Sequence, residues 1–480
     1  MSILTHATSG EDVVVTDIAP NVIPEQQIRA KMEKRGIPEP IIENFLVKVR
    51  QIREKKPYVS LREVNAVPAR LITMPGPNVA QASKLGAREQ SLMERLVVIK
   101  LNGGRSTTMG GRVPKGILEA KNGRSYLDII LGQVAAMRYQ WRIRVPLVLM
   151  NSFFTHGPTM EIVKKAEVPV LTFLQNQVPR LTQETLEPLE TDTEEDWAPP
   201  GHGDVYETLR QSGLLAELRS EGYRWAFISN LDNLAACPEP WILDIIERER
   251  IDFLMEVTRR TDADRKGGCL VMRDGRIHLL EIAQVAPEER RDFMNIRHFP
   301  VFNTNNVWVD LEELDAVLSR GELNLPLIQN RKRINGLEIV QIETAMGAAI
   351  ACFPRARALL VERDRFCPTK KVSDLFALRS DACILDSMDR LRLNPRRLPD
   401  LPFMPRVVFG EDFLDSPDSI PERFEDPASV SLVRARSLEV QGSVFFERDI
   451  IIEGNVIVQA PDDQVFRVPR GSILRDATYP

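Results

Sequence analysis

A lysine that closes a glycine-rich loop and a carboxylate that follows an apolar run are the two groups whose setting points to phosphate chemistry. Residues 98–115 read VIKLNGGRSTTMGGRVPK: an apolar run, a loop carrying Gly103 and Gly104, then Pro114 and Lys115. Glycine lets backbone N–H groups approach an anion, a strand in front fixes the loop, and the lysine supplies a point charge for phosphate oxygens. An ordinary glycine-rich turn has the same composition, and no Gly-Lys-Ser/Thr of a Walker loop follows. Asp232, in SNLDN at 229–233, comes directly after the strand-like run RWAFIS. Its carboxylate would emerge at the carboxyl edge of a sheet, where Mg²⁺ commonly joins one carboxylate to substrate phosphates. An Asx turn after a strand is the alternative reading of the Asp-Asn pair.

Eight further blocks follow the loop in order: VPLVLMNSF at 145–153, PPGHGD at 199–204, SNLDN at 229–233, KGG at 266–268, EIAQV at 281–285, FNTNN at 302–306, ETAMGAAI at 343–350 and RFCPTKKVSDL at 365–375. Together with the loop they resemble the UTP–glucose-1-phosphate uridylyltransferase family, over roughly residues 30–475. That family's loop reads Leu-Asn-Gly-Gly-x-Gly-Thr-x-Met-Gly and ends in Pro-Lys.

The resemblance implies a Rossmann-like nucleotidyltransferase domain and a Mg²⁺-assisted reaction. Glucose 1-phosphate attacks the α-phosphorus of UTP, pyrophosphate leaves, and UDP-glucose forms. An in-line displacement needs positioning, and positive charge where oxygens gain negative charge. By resemblance Gly103 and Gly104 hold the nucleotide, Lys115 supplies charge to the triphosphate, and Lys370 neutralises phosphate at the reacting centre. Gln175 matches the glutamine whose amide can read the uracil edge, and Gly201 lets backbone approach the ring. His202 has the position beside the phosphosugar. Asn230, Gly268, Glu281, Asn303 and Asn305 match positions that hydrogen-bond sugar hydroxyls, and Asp232 is the expected metal ligand.

The chain departs from the family inside the loop, with Arg105-Ser106 for the usual Leu-Gly and Arg112-Val113 for the usual Lys-Gly. Serine and valine resist positive φ, so the loop is expected to take another path or to hold strain. Gln177 stands where arginine is common. Two other readings therefore stay open: a pyrophosphorylase for another or several sugar 1-phosphates, and a non-catalytic UDP-sugar-binding regulator. The EIAQV and FNTNN blocks resemble the glucose-specific branch of the family more than the N-acetylhexosamine one, which favours glucose. The two basic clusters, Arg259, Arg260, Arg265 and Lys266, and Lys370 with Lys371, lie within or beside family blocks, which favours phosphate contacts.

These groups need a scaffold. Residues 1–95 carry no chemistry motif but show helical periodicity in PEQQIRAKMEKRG and PEPIIENFLVKVRQIREKK, expected as a helical N-terminal extension packed on the catalytic domain. From 96 to 385 short β-rich runs alternate with amphipathic segments. Strands are expected at VVIKL, VPLVLM, VPVLTFL and RWAFIS. Helices are expected at SYLDIILGQVAAMRYQW, at ETLRQSGLLAELRSEG ending on Gly222, and at PEPWILDIIERER. That alternation implies an α/β domain with a central, mostly parallel sheet, whose strand ends carry ligands. Acidic residues 182–196 read as an exposed loop. In the linker and small C-terminal domain at 386–480, VQGSV at 440 and IEGNV at 452 stand twelve residues apart, or two hexapeptide units. This is a parallel β-helix signature, with an antiparallel hairpin as the alternative. The family's left-handed β-helix domain favours the former.

The composition restricts the rest. With 480 residues, 43% of them hydrophobic, the chain can bury a large core. A net charge of -5 argues against a broad nucleic-acid surface. No apolar run reaches the ~20 residues that cross a bilayer and no signal peptide opens the chain, so a cytoplasmic protein without a membrane partner is expected. Five scattered cysteines suggest neither zinc nor disulfides. A monomer or dimer is the expected state.

Overall fold

A computed structural model describes residues 24–480 except 54–57, 75–84, 105, 107–108, 111–112, 262–263, 335, 411–412, 415 and 462–463. Arg105 and Arg112 therefore lie outside the described residues. The chain forms two compact units.

The smaller unit takes residues up to 57, 178–198 and 329–342. Its helices Glu25–Lys34 and Glu39–Arg53 form because apolar residues recur on one face: Ile28 and Met32 in the first, Ile42, Phe45, Leu46, Val49 and Ile52 in the second, all buried. Gly36, at φ 75°, ends the first helix as expected. The segment read as an exposed acidic loop is a correction. Leu186, Leu189 and Asp196 within it are buried, and the Asp196 carboxylate accepts from Lys31 and from the Thr191 backbone and hydroxyl. Its acidic composition hid a few apolar anchors and one satisfied charge.

The larger unit is built on an eight-stranded sheet. In chain order its strands are β1 (Ile72–Thr73), β2 (Leu96–Asn102), β3 (Leu147–Asn151), β4 (Val170–Leu174), β5 (Trp225–Asn230), β6 (Phe253–Arg259), β7 (Val301–Asp310) and β8 (Ala356–Leu360). The spatial order is β1-β8-β6-β7-β5-β2-β3-β4. β7 runs antiparallel to both its neighbours and every other pairing is parallel, so the sheet is mixed and mostly parallel. Both faces are covered, which is why the strands read as continuous apolar runs. Leu96 and Val98 face one core with Trp225, Phe227 and Trp308; Val97, Ile99 and Leu101 face the other with Ala226, Ile228 and Val307. Each such side chain contributes roughly 1.5–3 kcal/mol through burial.

The helix after the loop runs Tyr126–Trp141, with Ser125 accepting from the Asp128 N–H and the Asp128 carboxylate accepting from the Ser125 N–H. The single helix expected over 207–222 is two, Val205–Gln211 and Leu214–Ser220. Gly213 at φ 82° breaks the path between them.

Near the C-terminus the strands Arg406–Phe409, Ser431–Gln441, Ile451–Gln459 and Ile473–Arg475 pair in parallel, which rules out the hairpin. Leu438 pairs with Val456, eighteen residues on. Leu438, Val440, Ile452, Val456 and Val458 fill the interior with Phe446, which stacks on Phe424 at 4.9 Å.

Candidate active site

Parallel pairing of β2 with β5 sets Asn230 opposite Leu101, so the glycine-rich loop and the SNLDN turn leave the same edge of the sheet. Lys115 Nζ donates to Asp232 Oδ2 at 2.8 Å and to the Thr369 carbonyl at 2.7 Å. The residue after Thr369 is Lys370. Three blocks separated by more than a hundred residues each thus meet at one ammonium group.

From this point direct contacts run round a circuit. The Lys115 N–H donates to the Gly104 carbonyl. A Cβ on Gly103 would lie 2.8 Å from Gln175 Oε1, and Gln175 Nε2 donates to the Gly201 carbonyl at 2.5 Å. Gly201 has φ +84°, and a Cβ there would strike the Thr344 carbonyl at 2.5 Å, so only glycine fits. Next in the chain, His202 Nδ1 accepts from the Met346 N–H at 2.9 Å. Gly347 then abuts Asn303, whose N–H donates to the Gly268 carbonyl and whose Oδ1 accepts from the Asn305 N–H at 2.8 Å. Glu281 packs so closely on Gly268 that a Cβ would fall 2.4 Å from Oε1. Asn305, at φ 60°, donates from Nδ2 to Asn230 Oδ1 at 2.9 Å, two residues before Asp232. Gly103, Gly104, Lys115, Gln175, Gly201, His202, Asn230, Asp232, Gly268, Glu281, Asn303 and Asn305 lie on or beside this circuit, and Lys370 follows Thr369 in the chain.

Two buried acceptors on it have no partner: Asp232 Oδ1 and Asn305 Oδ1. A buried oxygen without a donor costs ~1–3 kcal/mol, more when charged. Among the described residues no three His, Cys, Asp or Glu side chains form a metal cluster. A single free carboxylate oxygen fits Mg²⁺, which takes one or two protein carboxylates and completes its shell with phosphates and water.

The electrostatics follow the same geometry. Burial, with the Lys370 ammonium next in effect, holds the His202 imidazole down at about 4, so it is neutral at physiological pH. Because Nδ1 accepts, Nε2 carries the proton and is a donor. Burial raises Glu281, and Lys370 opposes that rise. Lys370 therefore acts on both His202 and Glu281. Its own backbone N–H donates to Asp374 Oδ2, which caps the helix Val372–Arg379.

Ser106 and Val113 are not among the residues at positive φ; Gly110, at φ 63°, makes the left-handed turn. Ser106 is buried, and its hydroxyl donates to the Val113 carbonyl at 2.6 Å. The serine staples the loop in place of a strained turn. One cluster needs correction: Arg260 is buried and its guanidinium donates to the carbonyls of Phe293, Asp264, Arg265 and Gly267, so it shapes a turn rather than meeting phosphate.

Several site residues escaped sequence reasoning. Lys100, inside the run taken as an apolar strand, is 1% exposed and clamps both ends of the Asp232 turn, donating to Ser229 Oγ at 2.8 Å and the Ala236 carbonyl at 2.7 Å. Burial lowers it to about 8. Asn102 Nδ2 donates to Asn151 Oδ1 and Thr159 Oγ1 beneath the loop, both at 2.8 Å. Arg365 pairs with fully buried Glu256 at 2.6 Å. The charge of Lys100 within an apolar alternation was the one signal available.

A sequence model described as UTP–glucose-1-phosphate uridylyltransferase matches residues 42–453. The chain is 38% identical to the UTP–glucose-1-phosphate uridylyltransferase of Solanum tuberosum over 409 residues, 84% of this chain and 85% of that protein. To the Hordeum vulgare protein of the same name it is 39% identical over 393 residues, 81% and 82% of the two chains. Among solved structures, UDP-glucose phosphorylase from Trypanosoma brucei superposes with a TM-score of 0.84 at 34% identity, over 95% of this chain and 99% of that one. A mutant of UDP-glucose pyrophosphorylase from Leishmania major in complex with UDP-glucose gives a TM-score of 0.84 at 32% identity, over 95% and 98%.

Proposed function

The chain belongs to the UTP–glucose-1-phosphate uridylyltransferase family, and from that premise we propose that it forms UDP-glucose and pyrophosphate from UTP and glucose 1-phosphate. The observation that carries the reading is the convergence of Lys115, Asp232 and the peptide before Lys370 on one ammonium contact. Lys115 steadies the triphosphate, and Lys370 offsets charge as the α-phosphorus is attacked. Gly103, Gly104, Gln175 and Gly201 form the nucleotide side. His202, as an Nε2 donor, faces the phosphosugar, while Asn230, Gly268, Glu281, Asn303 and Asn305 bind the hexose hydroxyls. Asp232 would hold Mg²⁺ through Oδ1; when bound, the ion supplies charge neutralisation to the phosphate oxygens.

We further propose three stretches: an N-terminal extension to 95 that is helical over Glu25–Lys34 and Glu39–Arg53, a catalytic stretch 96–385, and a left-handed β-helix within 386–480. Parallel pairing of the C-terminal strands supports the last. No helix among the described residues is long and apolar enough to cross a membrane. We read the protein as a cytoplasmic monomer or dimer.

The test is pyrophosphate release with Mg²⁺ across nucleoside triphosphates and sugar 1-phosphates. Turnover with UTP and glucose 1-phosphate above all other pairs supports the proposal; binding of UDP-glucose with no turnover would sink it.

A further inference from the structure

The segment that delivers Lys370 is held by a side chain that neither the catalytic reading nor the sugar contacts account for. Asn233 is 1% exposed and follows Asp232 directly. Its Oδ1 accepts from the Cys367 N–H at 3.0 Å, and its Nδ2 donates to the Arg365 carbonyl at 3.1 Å. Nδ2 also lies 3.4 Å from Asn306 Oδ1. An amide that accepts from one backbone N–H and donates to the carbonyl two residues earlier reproduces the pairing of a neighbouring β-strand. Such a bridge fixes register, because sliding the segment by one residue would break both bonds at once.

The remaining contacts make the segment rigid on either side of that bridge. Upstream, Arg365 pairs with Glu256 through two bonds, 2.6 and 2.9 Å, and donates to the Cys237 carbonyl. Downstream, Thr369 Oγ1 donates to the Asp232 carbonyl at 3.1 Å and bonds to the Tyr126 hydroxyl, while the Thr369 carbonyl accepts from Lys115. Residues 232 and 233 thus grip residues 365–369 at two heights, and Lys370 is the next residue along. We infer that Asn233 is a positioning residue that sets the Lys370 ammonium against the Asp232 carboxylate, and hence against the phosphates between them.

The inference rests on the proposed reaction. Displacement of a charge-stabilising group by about 1 Å can cost a hundredfold in rate while leaving ground-state binding in place. Asn233→Ala should therefore lower kcat at least about tenfold, with KM for UTP and for glucose 1-phosphate and the Kd for UDP-glucose each within about threefold of wild type. In a Lys370→Ala background the same substitution should lower kcat by less than about threefold, because the group it positions is gone. A merely structural role would instead reduce all parameters with the folded fraction and act equally in both backgrounds. Should Asn233→Ala fail to fold, Thr369→Val breaks the same grip at its other point and should show the same kcat-only loss. An active wild type beside a kcat within twofold in Asn233→Ala, or in Thr369→Val where that variant replaces it, or fully additive losses, would overturn the inference. A wild type with no turnover would instead sink the reading of the reaction.

Discussion

Lys100→Met separates the electrostatic cost of one buried ammonium from its use. In the folded chain the lysine titrates near 8 rather than 10.5, because burial removes water from the charged form. A depression of that size corresponds to about 3 kcal/mol of disfavoured charge at neutral pH, at ~1.4 kcal/mol per unit. The folded value lies below the unfolded one, so the lysine's contribution is intact above about pH 10.5 and is lost as pH falls through about 8. Methionine keeps the length and removes that cost, but Ser229 and Ala236 then lose their shared donor, a loss of ~1–3 kcal/mol per unpaired group. At pH 7 the two effects nearly cancel, so the variant should match wild type in stability within about 2 kcal/mol. The decisive readout is the difference in unfolding free energy between the two proteins by denaturant titration at several pH values. Wild type should gain about 3 kcal/mol relative to Lys100→Met between pH 7.5 and 10.5. The unclamped Asp232 turn should also slow catalysis by about tenfold or more. A stability difference that stays flat across this pH range would refute the argument.

Other substitutions probe the circuit at separate points. Lys370→Ala should lower kcat at least about a hundredfold, the scale of losing one preorganised donor, and steady-state kinetics with near-normal turnover would reject its role. Glu281→Ala should chiefly relax the choice among sugar 1-phosphates, measured as ratios of kcat/KM across hexoses; unchanged ratios would remove it from the sugar contacts. Ser106→Ala leaves the Val113 carbonyl without its donor and should cost ~1 kcal/mol in denaturant unfolding, with a raised KM for UTP. A Ser106→Ala protein equal to wild type in both would mean the staple does not hold the loop.

How much of this was legible depended on whether the signal was local. The β2 and β5 runs, the capped helix after the loop and the glycine that ends the first helix all follow from neighbouring residues, and the structure shows each. The circuit residues could be named because blocks in order resemble a family, yet their contacts join positions far apart. Asn230 meets Asn305, and Gly103 meets Gln175, only after the sheet is assembled. Lys100 and the Arg365–Glu256 pair were hidden for the opposite reason. A charge in a strand reads as an exposed position until its partners, more than a hundred residues away, are known to cover it.

In the proposed reaction Lys115, Asp232 and Lys370 surround one triphosphate with its cation. Crystals grown with UTP and Mn²⁺, diffracted at the manganese absorption edge, test it directly. An anomalous peak is expected at bonding distance, about 2.1 Å, from Asp232 Oδ1, with phosphate oxygens between the two ammonium groups. A manganese peak on other residues, or a triphosphate lying away from Lys115 and Lys370, would contradict it.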